Sequence, residues 1–171
     1  MTVSQETKSD QKVAESFKEA KYKLNSASHL LTITYPLIQD QRMFSRILEL
    51  LAQVLEAGIN AALLHAHYTE SLPLLKKFEL DYPHFVKKKE EYGLSAEELK
   101  SIGEVMFLAK KMKEASMEFP RQESLVILSD RLETEQIDER RLRFFLSIVN
   151  GVLSKIEKAI QPAKAFNAPN A

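Results

Sequence analysis

Three groups of side chains in this sequence have the types and spacing that chemistry needs. His65, His67 and Glu70, in "HAHYTE", are all competent metal ligands. Residues two apart on a helix point about 200° apart, so the two imidazoles cannot share an ion unless the helix ends between them. The paired spacings of helical zinc and di-iron sites are missing as well, so the expectation is a polar helix end with no metal and no cofactor. The second group, Arg42, Arg46, Glu49, Gln53, Glu56 and Asn60, recurs at alternating spacings of four and three. It could line a polar groove in which Arg46 and Glu49 pair, and in which Glu56 moves a proton with Asn60 and the arginines around it. No nucleophile or phosphate loop accompanies it, so a solvated window on a crowded helix is the plainer expectation.

The third group is cationic. Lys76 and Lys77, Lys87 to Lys89, Lys110, Lys111 and Lys113, Arg121, Arg131, and Arg140, Arg141 and Arg143 form clusters, with Tyr82, Phe85 and Tyr92 interleaved as platforms on which bases could stack. Acidic residues punctuate most clusters, as in "KKKEE", which suits solvated helix faces. With 24 basic and 24 acidic residues the chain has no net charge, so binding to phosphate requires cations gathered in one place. Lys110, Lys113, Arg121 and Arg140 are the candidate RNA or ribonucleoprotein contact, provided that they converge.

The elements that must position these groups read as helices. Val13, Phe17, Ala20, Leu24, Ala27 and Leu31 mark one face of a long helix that Pro36 should end or kink. The polar stripe from Arg42 to Asn60 spans a sector of roughly 80° on a helical wheel, so the rod from Asp40 to Leu64 is surrounded on most sides and should be the central helix. A helical segment starting near Ser71 should break at Pro83. Gly93 is a stop, and "LSAEEL" then opens a helix with Ser95 as cap, Glu98 closing a capping box and Leu94 packing on Leu99. That helix should run to about Phe119. The last begins after Asp138, with Ile137 packing on Leu142, and presents Leu142, Phe145, Leu146, Val149, Leu153, Ile156 and Ile160 to the core.

The fold class expected is all-α: an antiparallel up-down bundle of four long helices plus one broken helix. Residues 1–9 read as a flexible N-terminus, 10–161 as a single helical-bundle domain and 162–171 as a frayed tail. Between Pro120 and Asp138 lie about 18 residues, long for a bundle connection. Leu125, Val126, Ile127 and Leu128 have no visible partner strand, so an extended strap across the outside of the bundle is expected. Its backbone partners are then side chains and water, or the strap of a second copy.

Apolar residues beyond one neighbour's reach, Val105, Phe107 and Leu108 on one helix and Phe144 and Ile148 on another, suit a homodimer interface centred on Phe107, Phe144 and Ile148. Met106, Met112 and Met117 could serve an adaptable protein partner. Four glycines argue against a turn-rich β fold, and the absence of cysteine excludes disulfides and thiolate sites. Polar opening residues and the interruptions at Glu49, Gln53, Glu56 and Asn60 argue against a signal peptide and a membrane span, and the cytoplasm is the expected location.

The segments "ASHLLTITYPLIQD", "ILELLAQVLEAGINAALL" and "EFPRQESLVILSDRLETEQIDERRL" together resemble a family of small, uncharacterised archaeal helical proteins, similar in layout to HEPN-type helical bundles. The resemblance runs from about residue 15 to 155. It implies a dimeric helical bundle with a strap between its last two helices, associated with RNA or with toxin and antitoxin systems. HEPN ribonucleases resemble one another in an arginine followed four to six residues later by a histidine on a late helix. His29, His65, His67 and His84 have no arginine at that distance before them, and Arg140, Arg141 and Arg143 have no histidine after them. The resemblance therefore implies binding without that nuclease activity.

Overall fold

The structure, a computed structural model, describes residues 3–75 and 77–160; the expected frayed tail at 162–171 lies outside them. Helix α1 (Val3–His29) begins within residues 1–9, expected to be a flexible N-terminus. Pro36 does not end it. The helix widens into a π-turn at Leu30–Thr34, where the Tyr35 N–H reaches back five residues to the Leu30 carbonyl, and resumes as α2 (Tyr35–Ile38) with Pro36 in its first turn. A proline can sit inside a continuing helix where the ladder is already shifted out of its regular register, as it is through the π-turn just ahead of Pro36. Gln39, at φ 54°, is the actual stop.

Helix α3 (Met43–Glu70) is central as expected, touching α1, α4 (Phe78–Lys87), α5 (Ala96–Lys113) and α6 (Glu139–Ile160). Its polar stripe is the only wet strip along much of its length, while Phe44, Ile47, Leu48, Leu51, Val54 and Ile59 are fully buried. Among the described residues α3 alone has the length and hydropathy of a membrane span, and 67% of its most apolar window is covered by the rest of the protein. Its close contact with α6 depends on Gly58: a methyl added there would lie 2.9 Å from Leu153 Cδ1.

Two further boundaries differ from expectation. Pro83 lies inside α4 rather than breaking it, and the helix starts only at Phe78. The loop before it is held by buried Asp81, whose Oδ1 accepts the Leu75 N–H at 2.8 Å. Helix α4 ends at Lys87, so Gly93, left-handed at φ 63° as expected, closes the turn after it rather than the helix; the capping box at the start of α5 is as expected, with Glu98 N–H donating to Ser95 Oγ at 3.1 Å and Ser95 N–H to Glu98 Oε2 at 2.8 Å. Helix α5 ends at Lys113, well short of Phe119.

It ends there because the chain becomes a sheet, which corrects the all-α expectation. β1 (Met117–Arg121), β2 (Ser124–Leu128) and β3 (Thr134–Asp138) form an antiparallel meander with β2 in the middle. The expected lone strap is therefore the central strand, and its backbone partners come from the same chain on both sides. Leu125, Ile127 and Ile137 share the inward face and join the single core cluster with residues of α1, α3, α5 and α6. Side chains alternate along a strand, so Met117, Phe119 and Arg121 share the outward face with Ser124, Val126 and Leu128. Asp138, as expected, caps α6 by accepting the Arg141 N–H at 2.7 Å.

Candidate functional site

The polar stripe lies along the wet side of α3 between two shallow grooves. On one side, a groove of about 520 Å³ adds Tyr22, Lys23, Asn25, Ser26 and His29 of α1 to Arg46 and Gln53. On the other, a groove of about 330 Å³ adds Met112 and Lys113 of α5 and Glu118 of β1 to Arg46 and Glu49. The pairing along the stripe is local: Arg46 lies 2.7 Å from Glu49, Gln53 Nε2 donates to Glu49 at 3.3 Å, and Arg42 turns away to Asp40 at 2.7 Å. That contact, with the Arg42 N–H, holds the Asp40 carboxyl below its usual range. Glu56 is half-buried and Asn60 exposed further along the stripe. The stripe pairs locally from Arg42 to Gln53 and faces water along its length, the arrangement a solvated window calls for.

The four cations proposed for RNA do not converge. The ladder pairs Met117 with Leu128 and Leu128 with Thr134 at one end of the sheet, and Arg121 with Ser124 and Ser124 with Asp138 at the other. Lys110 and Lys113 close α5 at the first end, whereas Arg121 and Arg140 belong to the second, about 13 Å away along the strands. All four are exposed, and none forms an ion pair among the described residues. Their neighbours in sequence are neutralised: Lys111 by Glu133 and Glu135 at 3.2 and 3.6 Å, Arg141 by Glu104 at 2.5 Å, Arg143 by Glu139 at 2.6 Å.

The aromatic platforms are not available. Phe78, Tyr82, Phe85 and Tyr92 stack on one another with centroids 5.6, 6.1 and 5.2 Å apart in turn. Phe85 and Tyr92 are buried in the core. Burial pushes the Tyr92 phenol up to about 12. The half-buried aromatic on the outer sheet face is instead Phe119.

At the second end of the sheet lies a polar cleft of about 680 Å³, formed by the corner between α2 and α3, the β1–β2 turn and the start of α6. The sequence reading missed it. Tyr35, buried against Phe44 at 4.7 Å between ring centroids, lines the cleft with Gln39, Gln41, Glu123 and Arg140. Its phenol is raised first by burial and then by the Glu139 and Glu123 carboxylates, against a smaller opposing effect of Gln41. No local motif brings residues 35, 123 and 140 together; only the meander does.

Of the interface candidates, Phe107 and Phe144 are each 51% exposed and Ile148 is half-buried. Val105 and Leu108, expected among the surplus, belong to the core, because α5 turns them towards α3. Met112 is buried and Met117 exposed. His67 and Glu70 are already engaged: His67 Nδ1 lies 2.6 Å from the Leu72 carbonyl and Glu70 pairs with Lys88. No protein-family model matches the chain, and neither a curated protein nor a solved structure matches it.

Proposed function

We propose that the chain acts by binding, and that its partner is RNA, alone or in a ribonucleoprotein, laid across the outer face of the sheet. The observation that carries this reading is that Lys110, Lys113, Arg121 and Arg140, though divided between the two ends of the sheet rather than gathered in one place, are exposed and without ion pairs among the described residues, so that only an extended polyanion crossing the face of Phe119 and Arg121 could meet both pairs. A strand crossing that face would meet a cation at each end and an aromatic edge between, the combination that single-stranded binding uses. Glu123 and Asp138 lie close to the same path, so affinity should be modest and strongly dependent on salt.

The helices are proposed to follow the antiparallel up-down order. Support comes from two ion pairs, Glu98 with Lys155 and Glu104 with Arg141, which set the early part of α5 beside the late part of α6 and its later part beside the beginning. The HEPN-like layout, the homodimer and the cytoplasmic location belong to the same proposal, which is one of binding without the arginine-to-histidine nuclease pair. A rival RNA-processing enzyme would work through Glu56 and Asn60.

Fluorescence anisotropy with a labelled single-stranded RNA, across a salt series, tests the proposal. Reversing charge at either end, Lys110→Glu with Lys113→Glu or Arg121→Glu with Arg140→Glu, should weaken binding about tenfold or more and flatten the salt slope. Unchanged affinity in both pairs would overturn it. RNA cleavage that Glu56→Gln abolishes while binding persists would favour the enzyme instead.

A further inference from the structure

The polar cleft between α2, the β1–β2 turn and the start of α6 holds more charge than it pairs. Ser124 lies opposite Asp138 in the sheet, so Glu123 and Glu139 stand just beyond the same end of two neighbouring strands, and the cleft sets Glu123, Asp138 and Glu139 against Arg140 and Arg143. Glu139 is taken by Arg143 at 2.6 Å. One oxygen of Asp138 accepts the Arg141 N–H, a contact that brings it no counter-charge. Among the described residues Glu123, Asp138 and Arg140 form no ion pair, with one another or with any other side chain. Two carboxylates and one guanidinium thus border a single space of about 680 Å³, the size of a small-molecule site. A buried polar group reaches the same space. Tyr35 is only 7% exposed, with its ring packed on Phe44, and the side chains that act on its phenol all line the cleft, so the hydroxyl is the end that looks into it. Burial and then Glu139 and Glu123 keep that phenol protonated, while Gln41 faces its oxygen as a donor. No atom among the described residues accepts the phenol's own proton.

We infer that this cleft binds a free basic amino acid, L-arginine or L-lysine, with its α-carboxylate on Arg140 and the Tyr35 hydroxyl, and its α-ammonium and side-chain cation on Glu123 and Asp138. The ligand class follows from the complement the site asks for. One guanidinium and one free O–H donor call for a single anion, and two unpaired carboxylates call for two cations. A phosphate or nucleotide would be repelled by Glu123 and Asp138, a diamine would leave Arg140 and the phenol unanswered, and a neutral amino acid would leave one carboxylate bare. The cleft shares Arg140 with the path proposed for RNA, but Glu123 and Asp138, which weaken a phosphate contact, are what this ligand needs, so the two readings fail separately.

Heteronuclear NMR of the nitrogen-labelled full chain, titrated at low salt with L-arginine and separately with L-lysine, reads the binding and its place together. For at least one of the two, amide shifts should be confined to residues 35–41, 122–124 and 138–143 and should saturate with a Kd below about 1 mM. Agmatine, N-acetyl-L-arginine and L-citrulline each lack one of the three charges of L-arginine, and each should bind at least about fivefold more weakly than it. Glu123→Gln and Arg140→Gln should weaken the better amino acid by a similar factor, and Tyr35→Phe, which keeps the ring on Phe44, should weaken it with the helical circular dichroism unchanged. Glu123→Gln should leave RNA affinity undiminished, whereas Arg140→Gln should lower both. Shifts that fail to saturate for either amino acid up to about 20 mM overturn the inference, as do three analogues that bind as tightly as L-arginine or a Glu123→Gln variant that binds as the wild type does. Loss of RNA binding with amino-acid binding intact would overturn the RNA reading alone.

Discussion

Lys155 on α6 donates at 2.7 Å to the same Glu98 carboxylate that closes the capping box of α5. One half-buried side chain thus starts a helix and joins it to another. Burial alone would raise its pKa, but Lys155 and the Ser95 N–H outweigh it, and the net shift is downward. A carboxyl whose pKa is lower in the folded state stabilises fully above its unfolded value, and that contribution is lost as the pH falls through the folded value. Glu98→Ala should therefore cost about 1–2 kcal/mol at neutral pH, from the cap and the ion pair together, and less below pH ~4. Urea unfolding at the two pH values checks this; a cost independent of pH would contradict it.

Tyr92 works in the opposite direction. Its phenol is held neutral up to about 12, chiefly by burial against Phe85. Stability from this source is complete below the unfolded pKa near 10 and declines as the pH rises through the folded value. Absorbance titration of the phenolates should show one tyrosine in Tyr92→Phe removed from the late-titrating set. The same variant should lose stability more gently than the wild type between pH ~10 and ~12.

Asp81 is the one buried acidic residue among the described residues, and what it accepts is a backbone donor, the Leu75 N–H. Asp81→Ala should leave that N–H without its partner and cost about 1–3 kcal/mol. Hydrogen exchange is expected to accelerate locally, around Ser71–Leu75, before any change in α3. Uniform acceleration through the core would show that Asp81 supports the whole fold rather than its loop.

What the sequence made legible was the part with strong periodicity or strong punctuation. The narrow stripe from Arg42 to Asn60 marked α3 as central, and "LSAEEL" marked the start of α5 to the residue. The sheet was hidden for physical reasons. Most residues of β1 and β3 are exposed, with Ile137 the sole fully buried one, so neither strand shows the apolar alternation that betrays a half-buried strand. Pro120, placed just past the expected end of the preceding helix, is tolerated in a strand because β1 is an edge. The β1–β2 turn carries its positive φ of 54° at Gln122, where a glycine or asparagine would have announced it. The candidate site suffered accordingly: without the meander, nothing in the chain separates Lys110 and Lys113 from Arg121 and Arg140, or brings Tyr35 to Glu123. The aromatic platforms were misjudged because spacing alone does not distinguish a ring that faces water from one stacked beneath its neighbours.

The turn at Gln122 and Glu123 also makes the chain divisible. Severed there, the longer piece would keep α3 with an apolar flank bare, and the shorter would carry Leu125, Ile127, Ile137 and the greasy side of α6 with nothing to rest on. Each piece would lack core residues that the other supplies, and the β1–β2 ladder would run between them. A single cut at this exposed turn would divide one core between two chains.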